Sequence, residues 1–243
     1  MKYLLCLLLL SGFTDQSTPP TSSVPILCYH NIAADDNAKG SVLSISRSQL
    51  SVQLKALADS GYHSILPDQL YAYLTAGKSL PDRPVMITFD DTRAEHFTMA
   101  APLLRQYGFK GVFFVMTIPI AKPGYMNASQ IKALSDMGHI IGAHTWDHPH
   151  AKDFRPTDTK KQLVNPKNVL EKMTGKPVDY IAYPFGEWND TLIRDIQMSG
   201  YKAAFQLAGK ASPRERLYTI RRIMVNGNWS GPRLQQELKT VFK

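Results

Sequence analysis

Short apolar runs alternate with amphipathic stretches along most of this 243-residue chain, and the step from an amphipathic stretch to the next apolar run repeatedly passes through glycine. Leu50, Leu54 and Leu57 lie at helical spacing and are followed by Asp59-Ser60-Gly61; the stretches ending at Gly108, Gly138 and Gly200 have the same form. Glycine there takes the left-handed conformation that closes a helix. Apolar runs predict strands at 26–29, 63–66, 85–89, 111–116, 139–143, 180–183, 203–206 and 218–223. Periodic stretches predict helices at 48–60, 67–76, 94–107, 128–137, 159–174, 191–199 and 232–242. A repeated strand–helix unit puts parallel strands inside and helices outside. The expectation is therefore an α/β fold, a closed or nearly closed (β/α) barrel of about seven parallel strands. In such barrels chemistry gathers where strands end and loops begin.

Two of those strand ends carry chemistry. The run PVMI leads into Thr88-Phe89-Asp90-Asp91, and the run HIIGAH ends in His144-Thr145-Trp146-Asp147-His148. Adjacent carboxylates beside a buried strand are costly without a cation or a shared proton. Imidazoles at i and i+4 face the same way when one helical turn separates them. Together they read as a one-metal hydrolase site: two His and one Asp hold the ion, and the second Asp activates water. The competing explanation of Asp90-Asp91 is a helix N-terminus, where Asp caps. For either His alone it is an ordinary hydrogen-bonded histidine. A helical HExxH zinc peptidase is a poor match, since Thr145 stands where Glu is needed.

Composition narrows the partners. The formal charge is +8, yet the basic residues are scattered and not interleaved with aromatics, which argues against nucleic acid. An anionic cell surface or acidic polymer is compatible with it. Lys2, the apolar run from Tyr3 to Leu10, and Ser11-Gly12 resemble a short secretion signal over 1–13, too short to span a bilayer. An apolar start to a cytosolic protein is the alternative. The LLLLSG string resembles a lipoprotein signal but has Phe13 where a lipoprotein would carry its lipidated Cys, and Cys6 lies too early; export is expected, with a lipid anchor doubtful and anchoring left open. Residues 14–23, rich in Ser, Thr and Pro, read as a linker, and 24–243 as the catalytic domain. The expected location is the cell surface, the periplasm or the medium. Without the signal Cys28 is the only cysteine, expected to pack as a small hydrophobe.

Taken in order, TFDD, HTWDH and Ala182-Tyr183-Pro184-Phe185-Gly186 resemble the first three motifs of the polysaccharide deacetylases, the NodB homology domain of carbohydrate esterase family 4. The resemblance covers most of the chain from Pro25 to about Ile223. It implies a distorted (β/α) barrel and metal-dependent hydrolysis of acetyl groups on sugars. Carried over by position, Asp90 is the base that takes a proton from water held at the metal, and Asp91, His144 and His148 are the metal ligands. The cofactor implied is one divalent ion, zinc first, with cobalt, nickel or iron also suited to such donors. In motif three the usual Arg two residues before Pro184 is replaced by Ala182. Arg221 or Arg222, from a later strand, can enter the site from another direction and steady Asp90; Arg222 is the one assigned. The alternative for both is an exposed strand end. The turn itself is retained, with the Phe185 backbone N–H and Tyr183 assigned to the oxyanion and substrate. No His follows His150, but the first strand runs Cys28-Tyr29-His30. This looks like the poly-N-acetylglucosamine deacetylase branch, in which the elements are circularly permuted and the general acid comes from the first strand; His30 is assigned as that acid. Thr92 replaces the Gly that commonly follows TFDD, where a side chain narrows the cleft or shifts the loop. Trp146, Trp188 and Trp229 are either sugar-stacking faces or lids. Asp147 is expected to point away from the metal.

The function implied is removal of acetyl groups from an N-acetylated polysaccharide, a polymer of N-acetylglucosamine or a cell-wall glycan. Three alternatives stay open: an O-acetyl xylan or carbohydrate esterase using the same site, hydrolysis of a small cyclic amide, and a catalytically weak sugar-binding relative. Loss of the motif-three Arg is the only support for the last.

Overall fold

The computed structural model describes residues 24–34, 40–207 and 209–242. The signal and linker readings over 1–23, with Cys6 and Phe13, lie outside the described residues. Strand β1 (Ile26–Tyr29) is followed by a short parallel ladder of β2 (Asn31–Ala33) and β3 (Ser44–Ser46), absent from the sequence expectation. Next come helix α1 (Arg47–Asp59), β4 (His63–Ser64), α2 (Pro67–Ala76) and β5 (Pro84–Asp90). The rest alternates: α3 (Ala101–Gln106), β6 (Val112–Val115), α4 (Ala128–Asp136), β7 (Ile140–Ala143), α5 (Asn165–Thr174), β8 (Tyr180–Ala182), α6 (Asp190–Met198), β9 (Ala203–Phe205), β10 (Ile223–Met224) and α7 (Gly231–Val241).

Seven of these strands form one all-parallel curled sheet in the order β10-β1-β5-β6-β7-β8-β9, and β4 pairs with the first residues of β5. Its two edges approach through residues 220–224. Ile220 bridges Phe205, with Gln206 N–H donating to the Ile220 carbonyl at 2.8 Å, and three residues later Ile223 and Met224 pair with Leu27 and Cys28. The result is the distorted NodB-like (β/α) barrel.

Strand periodicity decides what faces the interior. Along β5, Val85, Ile87 and Phe89 pack outward under the helices, whereas Met86 joins Ile26, Val112, Phe114, Ala182 and Phe205 inside. Thr88 and Asp90 continue the inward row of Met86, Cys28 that of Ile26, and His144 that of Gly142. Gly142 is required by packing: a Cβ there would sit 2.5 Å from the Phe114 ring.

Two expectations need correction. The last strand does not run over 218–223: Arg216–Tyr218 is a short helical turn, and the Thr219 hydroxyl bonds the Glu215 carbonyl at 2.9 Å, so strand-like pairing begins only with the bridge at Ile220. The stretches 94–107 and 159–174 are helical, but each opens with a wide π-type turn, His96–Ala100 and Lys160–Val164. Pro102 and Pro166 follow immediately. A proline ring clashes with the carbonyl four residues back, and widening the turn removes that clash.

Candidate active site

Asp90 ends β5 inside the barrel, 2% exposed, and its carboxylate meets Arg222 in a two-pronged ion pair: Nη1 donates to Oδ1 at 2.7 Å and Nη2 to Oδ2 at 2.8 Å. Arg222 is itself only 1% exposed. Its Nη1 also donates to the Thr88 hydroxyl, its Nε to the Gln206 carbonyl, and its guanidinium lies 5.2 Å from the Phe114 ring centre. The seam explains how it gets there, since Arg222 lies between the bridge at Ile220 and the pairing at Ile223. Arg221 next to it is exposed. Burial alone would raise the Asp90 carboxyl, but Arg222, His144 and His30 outweigh it and hold the group well below the usual carboxylate range.

Asp91 turns the other way. The backbone is left-handed at Asp91 (φ 82°) and again at Thr92 (φ 63°), so the neighbouring carboxylates diverge. Neither caps a helix. Asp91 Oδ1 lies 3.4 Å from His144 Nε2 and 3.6 Å from His148 Nε2, and it is buried with no hydrogen-bond partner. His144 Nδ1–H donates to the Ala182 carbonyl at 2.8 Å, which leaves the Nε2 lone pair facing Asp91. Burial would lower the His144 pKa, yet Asp90 and Asp91 together raise it: the cluster favours a positive charge. His148 is pushed down to about 4, first by burial and then by His144, so it is neutral at pH 7. An orphaned buried carboxylate oxygen facing two imidazole nitrogens fits a divalent cation. The two imidazoles do not meet across a helical turn, as their spacing suggests. They meet across a loop with left-handed backbone at Thr145 and His148 (both φ 65°), and the Thr145 hydroxyl accepts from His148 N–H at 3.1 Å.

On the opposite side of Asp90 lie Cys28 and His30. Their ligand atoms and those of Asp90 are all within 4.8 Å of one another. Cys28 is more than a small hydrophobe here: Sγ donates to Asp90 Oδ2 at 3.5 Å and sits 4.0 Å from His30 Nδ1. Burial lowers the His30 pKa, with Asp90 and Asp91 working against it. His96, which no motif singled out, donates through Nε2 to the His30 carbonyl at 2.7 Å.

The motif-three turn places Phe185 in left-handed backbone (φ 57°), 49% exposed, so it is not a core residue. Its ring stacks on His150 at 3.8 Å and meets His148 edge-on at 4.4 Å. Tyr183 is buried and its hydroxyl donates to the Tyr218 carbonyl, so any contribution to substrate binding runs through the turn it begins. Thr92 does not narrow the cleft: it is buried, and its hydroxyl donates to the Met116 carbonyl at 3.0 Å. Trp188 donates to Gln206, and Lys161 covers the Trp146 ring at 3.9 Å. Asp147 points away, accepting from Gln162. Asp91 and His148 open onto a cleft of about 400 Å³ whose wall includes Asn31, Arg93, Lys122 and Tyr125.

Residues 77–204 match the family model described as polysaccharide deacetylase, more than half of the chain. The chain belongs to the polysaccharide deacetylase family. It is therefore a hydrolase of carbon–nitrogen bonds other than peptide bonds. The poly-beta-1,6-N-acetyl-D-glucosamine N-deacetylase of Staphylococcus aureus is 29% identical over 198 residues, 75% of this chain and 68% of that protein. The structure of the Streptococcus pyogenes deacetylase PplD in complex with acetate superposes with a TM-score of 0.82 at 26% identity, covering 93% of this chain and 100% of that one. IcaB from Ammonifex degensii shares the fold, with a TM-score of 0.75 at 23% identity over 90% of this chain and 97% of its own. Among the described residues of this deacetylase no helix is long and apolar enough to cross a membrane.

Proposed function

We propose that this deacetylase removes the N-acetyl group from N-acetylglucosamine units of a polysaccharide at or beyond the cell surface. The observation that carries the reading is the division of labour between two adjacent carboxylates. Asp90 is clamped by Arg222, whereas Asp91 Oδ1 faces His144 and His148 with no hydrogen-bond partner. Asp91, His144 and His148 would hold one divalent ion, zinc or another metal at home among imidazole and carboxylate donors. When bound, that ion supplies Lewis acidity toward the acetyl carbonyl and the attacking water.

The protein does the rest. Asp90, kept ionised by Arg222, takes a proton from the attacking water as its oxygen bonds the acetyl carbon. The Phe185 N–H, in its exposed turn, is offered to the negative charge that develops on the carbonyl oxygen. The carbon–nitrogen bond then breaks and the sugar nitrogen takes a proton from His30, giving acetate and a free amine. Burial keeps His30 neutral at rest, so its proton arrives during turnover. Asp90, with its carboxylate within 4.8 Å of the imidazole, is the source at hand. The Arg222 clamp, reaching Asp90 from the seam, supports reading it as the tether missing from motif three and argues against a binding-only relative.

The test is acetate release and amine formation from β-1,6- and β-1,4-linked N-acetylglucosamine oligomers, comparing metal-stripped protein with protein given zinc or cobalt. Metal-dependent release of both products is expected. Asp90→Asn should lower turnover by roughly 10²–10⁴-fold while metal still binds. Full activity in Asp90→Asn, or acetate release only from O-acetylated xylan, would overturn the assignment.

A further inference from the structure

We propose that His96 is a positioning residue for the general acid: by holding the His30 carbonyl it sets the direction in which the His30 imidazole faces the leaving nitrogen. The inference rests on the assignment of His30 as that acid.

His96 opens the wide turn at the start of the helical stretch after Asp90-Asp91, and its side chain is 1% exposed. The ring packs against Phe89 at 5.5 Å and Phe113 at 6.1 Å, a pocket that another apolar side chain would fill at no polar cost. Instead the pocket holds an imidazole whose Nδ1 is buried with no hydrogen-bond partner. Leaving a buried polar atom unsatisfied is destabilising. What the imidazole provides in exchange is a single bond, Nε2–H to the His30 carbonyl at 2.7 Å. Burial lowers the His96 pKa and keeps the ring neutral, which fixes the proton on Nε2 for that bond.

The place of the bond gives it its effect. His30 is the one residue between β1 and β2, so each neighbouring strand constrains it from one side only. Its peptide carbonyl is where His96 ties it to the element that follows Asp90 and Asp91. Acid, base and metal ligand are thereby referred to one another through a contact that touches neither substrate nor cation. A wide turn of this kind is frequent at functional sites. Here it is what brings residue 96 under residue 30.

The experiment compares kcat and KM of the metal-loaded full chain on an N-acetylglucosamine oligomer, whose nitrogen must be protonated, and on 4-nitrophenyl acetate, whose phenolate leaves without a proton. The variants are His96→Phe, His96→Asn, His96→Gln and His30→Ala. His96→Phe should lower kcat on the oligomer roughly 10- to 100-fold with little change in KM, and reduce the oligomer-to-ester ratio in the same direction as His30→Ala. His96→Gln, whose amide nitrogen reaches the carbonyl, should restore much of that ratio. Should His96→Phe fail to fold, His96→Asn, polar but too short to reach, carries the same test. Equal loss on both substrates would mean that His96 only stabilises the fold, and no loss on either would remove its role altogether. If His30→Ala itself leaves the ratio unmoved, the acid assignment fails, and the inference with it. If His30→Ala shifts the ratio and the His96 variants do not, only the inference fails.

Discussion

The two ends of this barrel turn the chain with different residues. Where α1, α3, α4, α5 and α6 hand over to the next strand, the left-handed residue is a glycine: Gly61, Gly108, Gly138, Gly175 and Gly200. At the rim where strands end, Gly124 and Gly186 are joined in left-handed backbone by Asp91, Thr92, Ala121, Thr145, His148 and Phe185. L-residues in that conformation are strained by roughly 1–2 kcal/mol each. One end is relaxed apart from Arg83 (φ 47°), which leads into β5. The other holds strained backbone at the positions that separate the Asp90 and Asp91 carboxylates, bring two imidazoles together and expose one aromatic turn. Strain of this kind persists only where surrounding structure over-determines it, and the rim has that structure in the Arg222 clamp, the Thr92–Met116 bond and the Thr145–His148 bond.

The sharpest way to break the contrast is to remove the clamp. Arg222→Met leaves Asp90 buried and unpaired inside the barrel. Stability should fall by about 3–5 kcal/mol, and turnover should fall with it. Adding Asp90→Asn to that variant should return much of the stability, because the uncompensated charge is gone, but none of the activity. Denaturant unfolding of the single and double variants checks this. Equal stability of Arg222→Met and the unaltered protein would show that the rim does not depend on the ion pair.

The glycine end was legible in the sequence because its signals are local: a helical period, a Gly, an apolar run. The strands at 26–29, 139–143 and 203–206 and the helix at 67–76 emerge at or within one residue of their expected bounds. The chemistry-bearing residue types at the rim were equally visible, since adjacent Asp and paired His are unusual at strand ends. Their mutual placement was not. That Arg222 and not Arg221 reaches Asp90 depends on how residues 220–224 bridge the seam, a long-range fact. The His144–His148 spacing suggested a helical turn, because left-handed backbone at Thr145 and His148 leaves no mark on residue spacing. His96 carried no signal beyond being a histidine in an apolar helical stretch. The β2–β3 ladder is three residues long on each side and has no period to detect.

A second test concerns the relaxed end alone. His139 precedes β7, buried against the edge of Phe113, and its Nδ1 accepts from Gly111 N–H at 3.0 Å. Burial, helped by Lys110, pushes its pKa down to about 4. The folded protein then binds fewer protons than the unfolded chain between about pH 6.5 and 4, so this stabilisation is complete above that window and is lost as pH falls through it. The loss attributable to His139 is on the order of 2–3 kcal/mol. His139→Asn, which keeps an acceptor for Gly111 and removes the titration, should flatten that portion of the pH–stability curve. Metal binding at the rim should be the same in both proteins. An unchanged pH dependence in His139→Asn would mean that the rim histidines carry the acid sensitivity instead.

The smallest expected effects come from exchanging residue types between the two ends. Gly200 has φ 78° and open space where a Cβ would project, so Gly200→Ala meets only the backbone cost of left-handed alanine. It should lose about 1 kcal/mol of stability and leave kcat and KM as they are. Thr92→Gly is the reverse exchange at the rim. It relieves a β-branched residue at φ 63°, worth roughly 1–2 kcal/mol, but it leaves the Met116 carbonyl without its hydroxyl donor and frees the unfolded chain. The opposing contributions are similar in size, so the thermal midpoint should move by no more than about 4–5 °C in either direction. A larger gain would mean that Thr92 is held under strain which the Met116 bond does not offset. Activity then distinguishes two causes. If a stabilised Thr92→Gly protein keeps its kcat, the threonine is a neutral occupant of a glycine position; if kcat falls, the rigid turn after Asp91 helps to aim the Asp91 carboxylate.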